Sequence, residues 1–344
     1  MTTTPLVMRG APGSPYTRKM RALLRYRHIP YRLIISGSRE DRDLPQAKVA
    51  LLPTFFLPKT EGDEAGEKVG VVDSTPLIRR FEREFEGRSV VPPDPAMAFL
   101  DALLEDYGDE WLTKAMFHYR WAFEPDVAKA GAVLPRWSRV NAPEDRVAGF
   151  TKMITERQIG RLWVVGSNET TGPVIEESYR RFLRLFSAHL TDHPFLMGAR
   201  PGASDFGVYG QLTQLALFDP TPAAVTLDES PRVVAWVEVA EDLSGLEPQD
   251  GDWISRDAVP ESLLGLLGEV GRVYAPFLLA NAEALDKGAE RVETTIDGRP
   301  WVQQPFPYQG KCLAALREAH AALGANDRAA VDAFLSGTGC EILF

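Results

Sequence analysis

The sequence predicts an α/β unit, then an all-α unit, then a mixed extension of helices and one hairpin. Three observations predict it. Strand-length apolar runs alternate with amphipathic stretches only as far as residue 86, and prolines 92, 93 and 95 then interrupt the chain. Beyond them almost every apolar repeat has helical spacing, until the Asp297-Gly298 pair signals a two-residue hairpin turn. The boundaries drawn are 5–86, a linker over 87–95, 96–245, and an extension over 246–344.

Leu6 to Met8 is the first apolar run. Ser14-Pro15 then sets a hydroxyl N-cap before a proline at the first helical position, and Tyr16, Met20, Leu23 and Leu24 form the stripe of a helix ended by Pro30, with Arg18, Lys19 and Arg21 facing out. Tyr31 to Ile35 reads as a strand. Thr54 to Leu57 and Val69 to Val72 read as a hairpin, its acidic loop Pro58 to Lys68 forming an exposed tip. Asp73-Ser74-Thr75-Pro76 repeats the cap-then-proline signal ahead of Leu77, Ile78, Phe81 and Phe85.

After the linker, Leu100, Leu103, Leu104, Tyr107 and Trp111 mark one amphipathic helix, and Ile175, Tyr179, Phe182, Leu183, Phe186 and Leu190 another. Phe206 to Phe218 is apolar on most sides, the pattern of a buried central helix, and Ser230-Pro231 opens one more. The extension holds a helical region from Leu263 to Leu285, the hairpin, and helices near Gln309 to Leu323 and Asp327 to Leu335.

Composition narrows the function classes. With 44% hydrophobic residues in 344 the chain can bury a sizeable core, and 38 Lys and Arg against 48 Asp and Glu give a net charge of −10, which disfavours nucleic acid and anionic membranes as partners. Cys312 and Cys340 are the only cysteines, too few for a disulfide framework or a four-thiolate metal site, and this fits a reducing cytosol. No basic segment precedes an apolar run at the N-terminus and no run of 18 apolar residues occurs, so a cytoplasmic protein is expected. His189 and His193 are four apart but no third ligand is suggested, so no metal is expected; the dinucleotide, P-loop, nucleophile-elbow and zincin motifs are all missing.

Three local motifs remain: Ser14-Pro15-Tyr16-Thr17-Arg18-Lys19 after the first strand, Leu52-Pro53 before the third, and Asp73-Ser74 opening the next helix. In this order, followed by a proline linker and an all-α unit, they resemble the cytosolic glutathione transferases over roughly Leu6 to Leu243. The resemblance implies a thioredoxin-like N-terminal domain and an all-helical C-terminal domain, glutathione as co-substrate, and a homodimer. It implies further that Ser14 donates a hydrogen bond to the glutathione sulfur, that Tyr16 also binds glutathione, and that Leu52-Pro53 is a cis-proline turn whose backbone pairs with the cysteinyl part of the ligand. Asp73 would take the α-ammonium of the γ-glutamyl end, and Ser74 its α-carboxylate. The same residues would also serve as plain helix caps. Tyr107, Trp111, Tyr119, His118 and Arg120 are the candidates for an acceptor site between the domains, although Tyr107 and Trp111 equally suit a core stripe.

One departure stands out. Where the resemblance leads to a Ser or Thr three residues before Asp205, this chain has Gly202, so the reciprocal capping box is incomplete. The implied activity is conjugation of glutathione to a small electrophile. A binding or scaffold protein that keeps the fold, or a glutathione-dependent reductase or isomerase, is the alternative.

Overall fold

The computed structural model describes residues 4–58 and 68–344, so most of the expected hairpin tip lies outside the described residues. β1 (Leu6–Gly10), β2 (Tyr31–Ile35), β3 (Thr54–Pro58) and β4 (Lys68–Val71) form one sheet in the order β2-β1-β3-β4. β1 and β2 are parallel from Leu6 opposite Tyr31 to Gly10 opposite Ile35, and β3 runs antiparallel to both β1 and β4. The parallel pair needs a crossover, which α1 (Pro15–Tyr26) supplies. Ser14 caps it as expected: its backbone is extended and its Oγ accepts the Thr17 N–H at 3.2 Å. α2 (Ser74–Glu84) adds Leu77, Ile78 and Phe81 to the core that holds Met8, Met20, Leu23 and Phe55, with the Phe55 and Phe81 rings edge-on at 5.3 Å. This is the thioredoxin-like arrangement.

The second part is helical throughout. α3 (Pro95–Glu110) starts where Asp94 accepts the N–H groups of Ala96 and Met97. α4 (Leu112–Ala122), α5 (Glu124–Ser138), α6 (Glu144–Ile159), α7 (Gly172–His189), α8 (Ala203–Leu212), α9 (Pro220–Glu229) and α10 (Pro231–Ala240) follow. α8 is the expected central helix: all ten residues are buried, and it packs against both α1 and α3 before a π-helical turn over Thr213–Phe218. The pair α5 and α6 has no counterpart in the sequence reading. α5 contains Pro135, and α6 turns Phe150 and Met153 to solvent, each 57% exposed, so neither carries a stripe aimed at a core.

The extension does not stand apart. α11 (Glu261–Glu269) passes through a π-helical turn into α12 (Ala275–Asp286), and the hairpin of β5 (Val292–Ile296) and β6 (Arg299–Gln303) turns at Asp297-Gly298, both at positive φ. α13 (Pro307–Ala322) and α14 (Ala325–Leu335) close the chain. Glu261–Asp286 is a 26-residue helix long and apolar enough to cross a membrane, yet 61% of its most apolar window is buried inside the fold. Its Tyr274 meets Tyr107 edge-on at 6.2 Å, Trp301 lies 5.4 Å from Trp111, and Phe344 lies 5.5 Å from Phe99, so extension and helical domain share one core.

Asp101, on α3, resolves the incomplete capping box. Its Oδ1 accepts the Ser204 N–H at 3.0 Å and its Oδ2 the Ala203 N–H at 3.3 Å, while Asp205 accepts from Gly202 at 2.8 Å and from Leu196 at 2.9 Å. A neighbouring helix therefore provides the cap that a residue-202 hydroxyl would have given. Room for it depends on the glycine, because a Cβ at 202 would lie 2.3 Å from Asp101 Oδ1. Asp101→Ala should lower the urea unfolding free energy by about 2–3 kcal/mol, the worth of hydrogen bonds from buried N–H groups to a charged acceptor. Gly202→Ser, which restores the better general capping residue, should also destabilise; a stabilised variant would refute the account.

Candidate functional site

The sheet topology brings the expected residues to one end. β1 runs towards Ser14, β3 runs away from Pro53, and β4 runs towards Asp73, so all three connections open at the same end of the sheet. Ser14 Oγ approaches the Leu52 carbonyl at 3.4 Å, and the Leu52-Pro53 peptide is cis. That contact is long, so the Ser14 proton is only weakly held. No acidic residue occupies the first turn of α1, which leaves the positive end of its dipole uncompensated beside the hydroxyl.

Asp73 has φ of 82°, a left-handed conformation that costs a non-glycine residue about 1–3 kcal/mol and that the surroundings must impose. Its carboxylate makes no capping bond to α2. It accepts instead from the Tyr308 hydroxyl on α13, at 2.9 Å. The half-expected role of a plain N-cap therefore does not hold for Asp73. Ser74, 6% exposed, accepts from Lys19 Nζ at 3.2 Å through its Oγ, so its own proton is free to be donated elsewhere.

Lys19 is a correction. Expected to face solvent, it is fully buried between the domains, with Nζ 2.7 Å from Glu105 Oε1 and 2.5 Å from Asp109 Oδ2. Burial alone would drive its pKa down, but the two carboxylates outweigh it and hold the ammonium above its ordinary value. Glu105 also takes Arg79 at 3.1 Å and Thr75 at 2.9 Å, and its pKa is lowered; Asp109 is pushed up to about 6, burial outweighing Lys19. The signal was available: Asp101, Glu105 and Asp109 fall at four-residue spacing, a stripe of acids that a buried helix face carries only with partners.

Tyr16 differs from expectation too. Its hydroxyl donates to the Asp109 carbonyl at 2.8 Å, and burial, then Glu110 and Asp109, raise its pKa well above normal. It ties α1 to α3 through that bond. The acceptor candidates are likewise inside the protein. Tyr107, Trp111 and Tyr119 are core residues at most 2% exposed, and Trp111 Nε1 donates to Ser178 at 3.0 Å. His118 sits between Ser167, at 2.7 Å, and Glu176, at 3.4 Å. Arg120 reaches the site only from beneath: it pairs with Asp219 at 2.8 Å and Gln214 at 2.7 Å, and its Nη1 donates to the Gly13 carbonyl at 3.0 Å. Arg18 holds the preceding Pro12 carbonyl at 2.9 Å. The loop before Ser14 is thus fixed from two sides, and a Cβ at Gly13 would meet Trp137 at 2.2 Å.

Below this site, Lys114 is an unusual cation. It is completely buried, 4.0 Å above the Phe277 ring, and donates to Val165 O at 3.3 Å and Gln303 Oε1 at 3.2 Å, which fastens β6 to α4. Burial pulls its pKa down to about 7. Among the described residues no group of three or more His, Cys, Asp or Glu is placed to hold a metal ion.

The N-terminal part, residues 9–89, matches the family model described as glutathione S-transferase, N-terminal domain, and residues 147–238 match glutathione S-transferase, C-terminal domain. No curated protein matches the chain. Similar solved structures include a GST-like protein from Pseudomonas syringae, 18% identical over 69% of this chain and 67% of that one, TM-score 0.39. A Tau class glutathione S-transferase from mango, Mangifera indica, is 16% identical over 76% and 96%, TM-score 0.41. A glutathione S-transferase from Methylobacterium radiotolerans, in complex with glutathione sulfonate, is 16% identical over 72% and 99%, TM-score 0.34.

Two outcomes test the electrostatics. Lys19→Met takes the ammonium from buried Asp109 and leaves Glu105 with Arg79 and Thr75 alone, and should cost about 3–5 kcal/mol in chemical unfolding. For Lys114 the folded pKa lies below the unfolded one, so the unfolded chain holds the proton that the folded chain has lost from about pH 7 up to the ordinary lysine value. Its contribution to stability therefore rises with pH across that window. Lys114→Met should be more stable than the parent near pH 6.5, by a margin that shrinks by a few kcal/mol towards pH 10; a pH-independent margin contradicts the assignment.

Proposed function

The chain belongs to the glutathione S-transferase family, and from that premise we propose that it conjugates the thiolate of glutathione to a small electrophile, with Ser14 stabilising the sulfur anion. The observation that carries this is the placement of the Ser14 hydroxyl. It stands at the positive end of α1, weakly engaged by Leu52 and beside the cis Leu52-Pro53 peptide. Turning its proton to a sulfur gives up only that long bond. A helix N-terminus contributes about 0.3–1 kcal/mol to a nearby anion and a hydrogen bond to a charged group about 1.5–3 kcal/mol, which together lower a thiol pKa by about one to three units.

That shift by itself does little. A thiol lowered from about 8.5 to about 7 gains roughly sixteenfold in thiolate at neutral pH and loses about fivefold in intrinsic nucleophilicity, a net of about threefold. The larger share of the acceleration comes from holding the electrophile beside the sulfur. Trp137, pressed against Gly13, is the side chain we assign to that wall, in place of the buried Tyr107, Trp111, His118 and Arg120.

The rest of the ligand follows from complementarity. The N–H groups opening α2 and the free proton of Ser74 suit the γ-glutamyl α-carboxylate, with the buried Lys19 ammonium behind them. Asp73, which caps nothing, suits the α-ammonium. The Leu52 backbone is the partner for the cysteinyl residue, in strand-like pairing. Thiol-disulfide exchange through this position is disfavoured, because a serine cannot form a mixed disulfide.

Ser14→Ala should raise the pKa of bound glutathione by one to two units, read from thiolate absorbance against pH. It should also lower transferase kcat/KM by about 10- to 100-fold, the worth of one hydrogen bond to a charged group. Unchanged kinetics would mean that another group holds the sulfur. Failure of the unaltered protein to bind glutathione at millimolar concentration in calorimetry would favour the scaffold reading.

A further inference from the structure

We propose that Tyr308, brought by the C-terminal extension, is a positioning residue of the glutathione site: its hydroxyl fixes the Asp73 carboxylate in the orientation that receives the γ-glutamyl ammonium. The inference rests on the role assigned to Asp73 above and gives the extension a part in the same site.

Both ends of the Tyr308 to Asp73 bond are held by structure independent of it. Asp73 is locked in its left-handed backbone conformation between β4 and α2. Tyr308 lies in the first turn of α13, and that turn is pinned three times. Asn281, fully buried on α12, donates to the Phe306 carbonyl at 3.1 Å and accepts the Phe306 N–H at 2.8 Å. Gln309, 2% exposed, donates to Glu110 Oε2 at 3.1 Å. One turn on, Cys312, Leu313 and Leu316 bury the inner face of the helix. An approach of 2.9 Å between two anchored elements is a built contact.

The chemistry suits positioning. Burial and the Asp73 carboxylate push the Tyr308 phenol above its ordinary value, so it stays protonated and donates. It occupies one oxygen of the carboxylate, Oδ2, and leaves Oδ1 and the remaining lone pairs for an ammonium with three donors. A carboxylate with one rotamer fixed loses less freedom when the ligand arrives. Tyr308 touches Asp73 and no reacting atom, so its effect belongs to binding and not to turnover.

The test uses the full chain and two peptides: glutathione, and the analogue in which hydrogen replaces the glutamyl amino group. Tyr308→Phe removes one oxygen from a residue 39% exposed, and an unchanged thermal midpoint confirms that the fold is kept. It should weaken glutathione binding three- to tenfold in calorimetry and raise KM for glutathione with kcat unchanged, while binding of the deaminated peptide stays at the parental value. Combined with Asp73→Asn it should add no further loss, as coupled residues do. Equal or tighter glutathione binding by Tyr308→Phe overturns the proposal and would make the tyrosine a competitor for the ammonium's place. An equal loss for both peptides overturns it as well. If instead Asp73→Asn binds glutathione as the parent does, the reading of Asp73 falls first, and the proposal with it.

Discussion

A single buried ammonium sets the geometry on which the site depends. Lys19 rises from α1, pairs with Glu105 and Asp109 of α3, and donates to Ser74 at the head of α2. Three helices from two domains therefore share one charge centre, and moving any of them separates opposite charges in a medium where that separation is costly. The carboxylates answer the desolvation of the lysine, and Arg79 completes the balance at Glu105. Because Ser14 caps the same α1 that carries Lys19, the Ser14 and Ser74 ends of the candidate site are locked together through one helix.

α3 works as the beam of the molecule. On one side Glu105 and Asp109 face the thioredoxin-like domain; on another, Asp101 caps α8; and further round, Asp106 accepts from Tyr274 at 2.7 Å and Glu110 from Gln309. The acids of α3 divide by how far their partners offset burial. Burial and neighbouring carboxylates push Asp106 to about 7, Glu110 to about 8 and, despite Lys19, Asp109 to about 6, whereas Glu105, beside both Lys19 and Arg79, is held low. The polar groups of the extension hydrogen-bond to a face that charge alone would make unfavourable to bury.

What the sequence disclosed was local. The Ser14 cap, the Pro53 turn and the Asp73-Ser74 pair each rest on neighbours a few positions away, so spacing and resemblance suffice to place them. What stayed hidden was paired at long range: Lys19 meets Ser74 at a separation of 55 residues, Arg120 meets Asp219 at 99, and Tyr308 meets Asp73 at 235. A lysine flanked by arginines on a helix has the composition of a solvated face, and nothing within α1 reveals that acids from α3 will cover it. The acceptor candidates are buried for the converse reason. Helical spacing put Tyr107 and Trp111 on one face, but only the tertiary structure shows that aromatic residues of the extension fill the space before that face.

The covering of α3 by the tail has a consequence for biosynthesis. Gln309 follows its partner Glu110 by 199 residues, which at about 5–20 residues per second is a delay of roughly 10–40 s on the ribosome. Through that interval the emerging chain displays Trp111 and a pair of acids without their lid. Until the extension has been made, nothing from it can cover that face of α3.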